Sequence, residues 1–173
     1  MQRDFFTLLN AGLQLQPLED LKLSPNPDWQ HIYTIANQQT VTGIIADGIS
    51  SLGIQSTLPP EILNQFVCDT THIARTNLKM LEVQAKTCQT LEQNALLYVL
   101  LKGQCVAQCY PNPLSRISGD IDILLPPDHY EIAKRLLTDI GTNPTDKPLA
   151  GEFSIFIDNV QVELHDNIYA GIN

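Results

Sequence analysis

Two aspartates stand one residue apart at the head of an apolar run in SRISGDIDILLPP, residues 115–127. Acidic side chains are poor strand formers, and a strand entering a core gains nothing from two charges. On a strand, residues i and i+2 share a face. Asp120 and Asp122 therefore point one way, while Ile121, Ile123 and Leu125 point the other. Neighbouring carboxylates repel, so either one of them holds a proton or a cation settles the conflict. A divalent, oxygen-seeking ion suits the pair. Mg2+ characteristically takes one or two carboxylates together with substrate phosphates.

A third carboxylate is found in VQVELHD, where Val160, Val162 and Leu164 share one face and Gln161, Glu163 and His165 the other. If this strand lies beside the Asp120 strand, Glu163 completes a three-carboxylate cluster. Such a cluster is able to hold two metals about 3.5–4 Å apart, one activating an attacking oxygen and one stabilising a leaving phosphate. In phosphoryl or nucleotidyl transfer, positioning and charge neutralisation supply most of the catalysis. Each residue also has a plainer reading: a solvated strand edge for the D-x-D pair, a solvated face for Glu163, an ordinary half-exposed histidine for His165.

The elements that must carry these residues change character near residue 95. Before it the signals are helical, over residues 2–13, WQHIYTIANQQ and TVTGIIADGISSLG. TLPPEILNQFVCDTTHIARTNLKMLEVQAKTCQTLEQNA has a helical apolar period and no glycine or proline after Pro60, which predicts one long helix or two broken near Thr70 and Thr71. After residue 95, LLYVLLKG reads as a buried strand, GQCVAQCYP as one or two helical turns, and GDIDILLP as a second strand. DHYEIAKRLLTDIG reads as a helix with Asp128 as N-cap and Gly141 as its stop. EFSIFIDN and VQVELHDN form a hairpin turning at Asp158-Asn159. The order is helices, then β-α-β-α-β-β. This is an α+β fold: a helical region over residues 1–94, then a small mixed sheet flanked by helices over residues 95–173.

Composition narrows the setting. The chain has 173 residues, 43% hydrophobic, enough for a buried core and unlike a disordered chain. A net charge of −9 argues against a duplex nucleic-acid partner, which needs a dense cationic footprint, but leaves room for a small anionic ligand held by local donors and metal. No segment reaches the roughly 20 apolar residues of a bilayer span, and the N-terminus reads as an amphipathic helix rather than a signal peptide. Cys68, Cys88, Cys105 and Cys109 lack zinc-site spacing and read as reduced, mostly buried thiols of a cytoplasmic protein. Cys105 and Cys109 fit the core side of one short helix.

Strand, Gly-x turn, helix, D-x-D strand, helix and a later acidic strand together resemble the polymerase-β-like nucleotidyltransferase superfamily. More narrowly, LLKGQCVAQCYPNPLSRISGDIDILLPPDHYEIAKRLL is similar to an uncharacterised bacterial nucleotidyltransferase family with an lKG…Yp…R…DiDlLv run. DWQHIYTIANQQTVTGIIADGI is similar to that family's N-terminal portion. The resemblance implies a nucleotidyltransferase that moves a nucleoside monophosphate from an NTP such as ATP to an acceptor hydroxyl, with Mg2+ or Mn2+ as cofactor. It assigns Asp120, Asp122 and Glu163 to metal and catalysis, Gly103 and Gln104 to the turn that approaches the triphosphate, and Lys102 and Arg116 to the family's basic positions. Lys102 also reads as a charged strand end, and Arg116 as a partner of the aspartates. Three features depart from the pattern. Gln104 stands where Ser or Gly is usual, and fifteen residues separate it from Asp120. The chain also stops ten residues after Glu163, as a fragment or a short member does. These departures support an alternative, a degenerate nucleotidyltransferase fold that binds nucleotide or a protein partner without turnover.

Overall fold

A computed structural model describes residues 2–147 and 151–167. The chain divides into two compact units, Met1–Asn77 with Ala107–Ile117, and Leu78–Val106 with Ser118–Asn173. The fold class is the expected α+β arrangement, helices first and then a five-stranded mixed sheet. Among the described residues, no helix is long and apolar enough to cross a membrane.

The first unit contains α1 (Gln2–Leu13), α2 (Trp29–Gln38), α3 (Thr42–Ser51) and the first half of α4 (Pro60–Gln93). Its core joins Phe5, Leu8, Trp29, Ile32, Ile45 and Phe66, the apolar positions that recur at helical spacing. α1 and α3 touch backbone to backbone: a Cβ on Gly48 would lie 2.1 Å from the Leu8 carbonyl oxygen, so only glycine fits there. α4 is one uninterrupted helix. The hydroxyls of Thr70 and Thr71 return to the carbonyls of Phe66 and Val67, which absorbs two residues that otherwise weaken a helix.

The second unit contains the second half of α4, α5 (Gly103–Ala107), α6 (Pro127–Thr138) and five strands. These are β1 (Val99–Leu101), β2 (Asp120–Leu124), β3 (Thr142–Lys147), β4 (Glu152–Ile157) and β5 (Val160–His165), in the order β1-β2-β5-β4-β3. Only β2 and β5 are parallel; the other neighbours are antiparallel. Ile121, Ile123, Ile155, Val162 and Leu164 form one core with Met80 and Val83 of α4 and with Tyr130 and Leu137 of α6. β4 and β5 close as a hairpin through Asp158 (φ 50) and Asn159 (φ 67), the consecutive left-handed residues of a tight primed turn.

Several expectations need correction. The LLYVLLKG strand is not buried: in β1, Val99 is exposed and Leu100 and Leu101 are half-buried. β3 was not anticipated, because TNPTDK is polar, fully exposed and carries Pro144, and only the edge of a sheet tolerates such a sequence. Asp128 does not cap α6. Pro126 stands at the cap with Pro127 after it, and the N–H groups of His129 and Tyr130 bond to the Pro126 carbonyl instead. Gly141 lies beyond the helix end, where a Cβ would come within 2.6 Å of the Ile155 side chain. The thiols are not mostly buried: Cys68, Cys105 and Cys109 are exposed and Cys88 is partly so. α5 ends before Cys109, so the helical spacing expected of the last two does not apply.

Asp4 is 3% exposed and accepts hydrogen bonds from the Ser24 backbone N–H (2.8 Å) and hydroxyl (2.7 Å). Burial pushes its carboxyl up, but these two bonds outweigh burial and hold it below the ordinary 3.8. A depressed carboxyl contributes stability above its ordinary pKa and loses it as pH falls through the folded value. Asp4→Asn is expected to unfold about 1–3 kcal/mol more easily at pH 7, converging on wild type in strong acid. Denaturant melts across pH measure this, and equal stability at pH 7 contradicts it.

Candidate active site

The parallel pairing of β2 and β5 sets Asp120 opposite Gln161, Asp122 opposite Glu163 and Leu124 opposite His165. The register follows from the other face of the sheet, where Ile121, Ile123, Val162 and Leu164 are buried. A one-residue slip would expose all four, so apolar burial indirectly holds the polar row in place. Asp122 and Glu163 are thus neighbours because of residues they do not touch.

Asp122 is 1% exposed, unusual for a carboxylate. Its Oδ1 accepts from Lys102 Nζ at 3.2 Å and lies 3.0 Å from His165 Nε2. Its Oδ2 is buried and has no hydrogen-bond partner among the described residues. His165, and after it Lys102, hold Asp122 below the ordinary carboxylate range despite burial. The same contact pushes His165 up. Glu163 goes the opposite way: burial raises it, and Glu152, Asp120 and Asp122 raise it further. Gln161 Nε2 donates to Glu163 Oε1 at 2.7 Å, and Glu163 Oε2 lies 3.9 Å from His165 Nε2.

Ligand atoms of Asp122, Glu163 and His165 all lie within 4.8 Å of one another. Asp120 sits on the same face two residues earlier and acts on Lys102 and Glu163 through its charge, but it is outside this closest group. Two carboxylates, one imidazole and a buried oxygen without a donor suit a divalent cation. The donor set fits.

Lys102 and Gly103 make the turn from β1 into α5 with φ of 45° and 40°. Left-handed backbone is ordinary for Gly103 and costly for Lys102. A Cβ on Gly103 would approach the Asp120 carbonyl oxygen to 3.3 Å, so the turn packs directly on the D-x-D strand. Leu101 pairs with Asp122, which brings the next residue, Lys102, within reach of that carboxylate. Gln104 is 4% exposed, with its side-chain amide against the Met80 sulfur at 3.9 Å, directed into the interior. Arg116 belongs to the first unit, where its carbonyl accepts from Asn77 Nδ2 at 2.8 Å.

The structure therefore gathers Asp122, Glu163 and Lys102, with Asp120 and Gly103 alongside. It adds two residues absent from the expected site, His165 and Gln161. Their signal was present in V-Q-V-E-L-H, since period 2 puts both on the Glu163 face. What the period does not convey is that His165 reaches across to Asp122.

Held below its ordinary range by His165 and Lys102, the Asp122 carboxylate stabilises the metal-free fold at neutral pH. Lys102 is 69% exposed and remains solvated when its partner goes, and His165 is able to become neutral, so removing the charge strands no other. Asp122→Asn is expected to lower the stability of the metal-free protein by about 1–3 kcal/mol at pH 7, as for other hydrogen-bonded carboxylates. Denaturant unfolding measures this, and unchanged stability contradicts it.

Comparison with curated proteins and with solved structures finds no match. The sequence model of the uncharacterised nucleotidyltransferase family matches residues 25–171, which takes in α2, α3, α4 and the whole sheet. With that match over most of its length, the chain belongs to the uncharacterised nucleotidyltransferases, a family of enzymes of nucleotidyl transfer.

Proposed function

We propose that the protein is a metal-dependent nucleotidyltransferase of the polymerase-β-like kind, moving a nucleoside monophosphate from an NTP to an acceptor hydroxyl. The observation that carries this reading is the in-register pair Asp122 and Glu163, with a buried Asp122 oxygen that lacks a donor. In the reaction the acceptor oxygen bonds to the α-phosphorus, the bond to the β-phosphate oxygen breaks, and pyrophosphate leaves with the electron pair. Mg2+ or Mn2+ bound at the site supplies the positive charge that offsets the triphosphate and the entering oxygen.

The chain's own residues divide the work. Asp120, Asp122 and Glu163 hold the cation, and Glu163 helps to activate the acceptor. Lys102 exchanges its contact with Asp122 for a phosphate, to which an exposed ammonium on a flexible stem is well suited. Gly103 and Gln104 present backbone to the triphosphate; Gln104 does so without its side chain, which is directed inward. For Arg116, which lies in the first unit, the family resemblance alone supports a role toward the nucleotide. The net charge of −9 weighs against a polyanionic acceptor and favours a small molecule or a protein hydroxyl.

Asp120→Asn and Asp122→Asn are each expected to lower cation-dependent pyrophosphate release from NTPs by about 100-fold or more, with an unchanged circular dichroism spectrum. Undiminished release by both variants overturns the assignment. Tight ATP binding in calorimetry with no pyrophosphate released would support a module that binds nucleotide without turnover.

A further inference from the structure

We propose that His165 is itself a ligand of the site's cation, and that with it the site selects a first-row transition ion over Mg2+. The inference rests on the metal-dependent reading above and deepens it. In sequence His165 shares the Glu163 face of its strand and reads as an ordinary half-exposed histidine. In the structure its Nε2 reaches both carboxylates, 3.0 Å from Asp122 Oδ1 and 3.9 Å from Glu163 Oε2. Two ligands each about 2.1 Å from one ion and at a right angle to each other stand about 3 Å apart. The Asp122–His165 spacing therefore serves a shared ion as readily as a shared proton.

Three further features favour ligation over a simple hydrogen bond. A histidine that only satisfied Asp122 would be expected where the carboxylate lacks donors, yet it shares Oδ1 with Lys102 while the buried Oδ2 has none. The imidazole is 13% exposed and rides on a fixed backbone: the His165 carbonyl accepts from the Leu125 N–H at 2.9 Å, continuing the β2–β5 pairing one residue past the end of β2. Preorganised donors of this kind lose little freedom when an ion arrives. Glu163 is likewise fixed by Gln161 at Oε1, leaving Oε2 as its oxygen nearest His165.

Ligand chemistry then sets the ion. Mg2+ takes oxygen and gives up water reluctantly. Imidazole is a borderline donor that favours transition ions, and within the first row affinity rises from Mn2+ towards Cu2+. A site of two carboxylates and one imidazole thus binds Mn2+ more tightly than Mg2+, and Co2+ more tightly again.

The test is electron paramagnetic resonance on the full chain with Mn2+ alone. Wild type is expected to bind Mn2+ with electron spin-echo modulation from a directly coordinated imidazole nitrogen. Both His165→Gln and His165→Ala, checked for folding by circular dichroism, lose that modulation and at least about tenfold in Mn2+ affinity, since even outer-shell partners of a ligand are worth that much. Mg2+ displaces Mn2+ from wild type only at about tenfold or greater excess. Mn2+ bound without nitrogen modulation, or modulation that survives in a folded His165 variant, overturns the ligand role and leaves the functional reading standing. Displacement of Mn2+ by equimolar Mg2+ overturns the selectivity. No Mn2+ binding at millimolar concentration overturns both this inference and the metal-dependent reading.

Discussion

A carboxylate that is 1% exposed, with one oxygen satisfied twice and the other not at all, is an expensive thing to build into a sheet. The rest of the second unit is organised around that expense. β2 tolerates Asp122 because Ile121 and Ile123 on its opposite face are fully committed to the core. β5 brings Glu163 alongside for the same reason, through Val162 and Leu164. The apolar face provides the driving force, and the polar face inherits a precision that its own interactions do not supply. Carboxylates that merely decorated a strand would be solvated; here burial and then the neighbouring carboxylates push Glu163 up, while His165 and Lys102 pull Asp122 down.

That separation of roles gives the site its rigidity. Every group in the cluster is carried by a strand or by the residue that ends one: Asp122 within β2, Glu163 and His165 within β5, Lys102 at the end of β1. Sites on paired strands move less than sites on loops. At the site the strained element is the Lys102–Gly103 turn, with two consecutive left-handed residues packed against Asp120. A non-glycine residue held in that region marks a position where local geometry serves something other than stability. Here it leads from β1 into α5 while the Lys102 ammonium stays within 3.2 Å of Asp122.

How much of this was legible beforehand depends on the kind of signal. Asp120, Asp122 and Glu163 were readable because alternation on a strand needs only the sequence, and because Ile, Val and Leu on the intervening positions leave no choice of face. The two-residue Asp158-Asn159 turn was legible for a similar reason, since its backbone demands are local. β3 was not, because an exposed edge strand is stabilised by its neighbour β4 rather than by its own residues. Asp128 was misread because the helix begins one residue earlier, at Pro127, which places Asp128 inside the first turn and Pro126 at the cap. Gln104 shows the limit of a motif: its position in the turn was expected, but its direction towards Met80 depends on packing that no spacing encodes. His165 lay on the right face, but the register sets it opposite Leu124, and only its side-chain position brings Nε2 within 3.0 Å of Asp122 Oδ1.

The central claim is that Asp122 keeps a buried oxygen for a cation, with Glu163 and His165 beside it. Anomalous diffraction from crystals of the protein soaked in Mn2+ tests this most directly. The account predicts an anomalous peak in bonding contact with the Asp122 carboxylate, with Glu163 and the His165 imidazole completing its protein ligands. Density showing Asp122 Oδ2 hydrogen-bonded to a protein donor, with no anomalous peak on that face of the sheet, would contradict it.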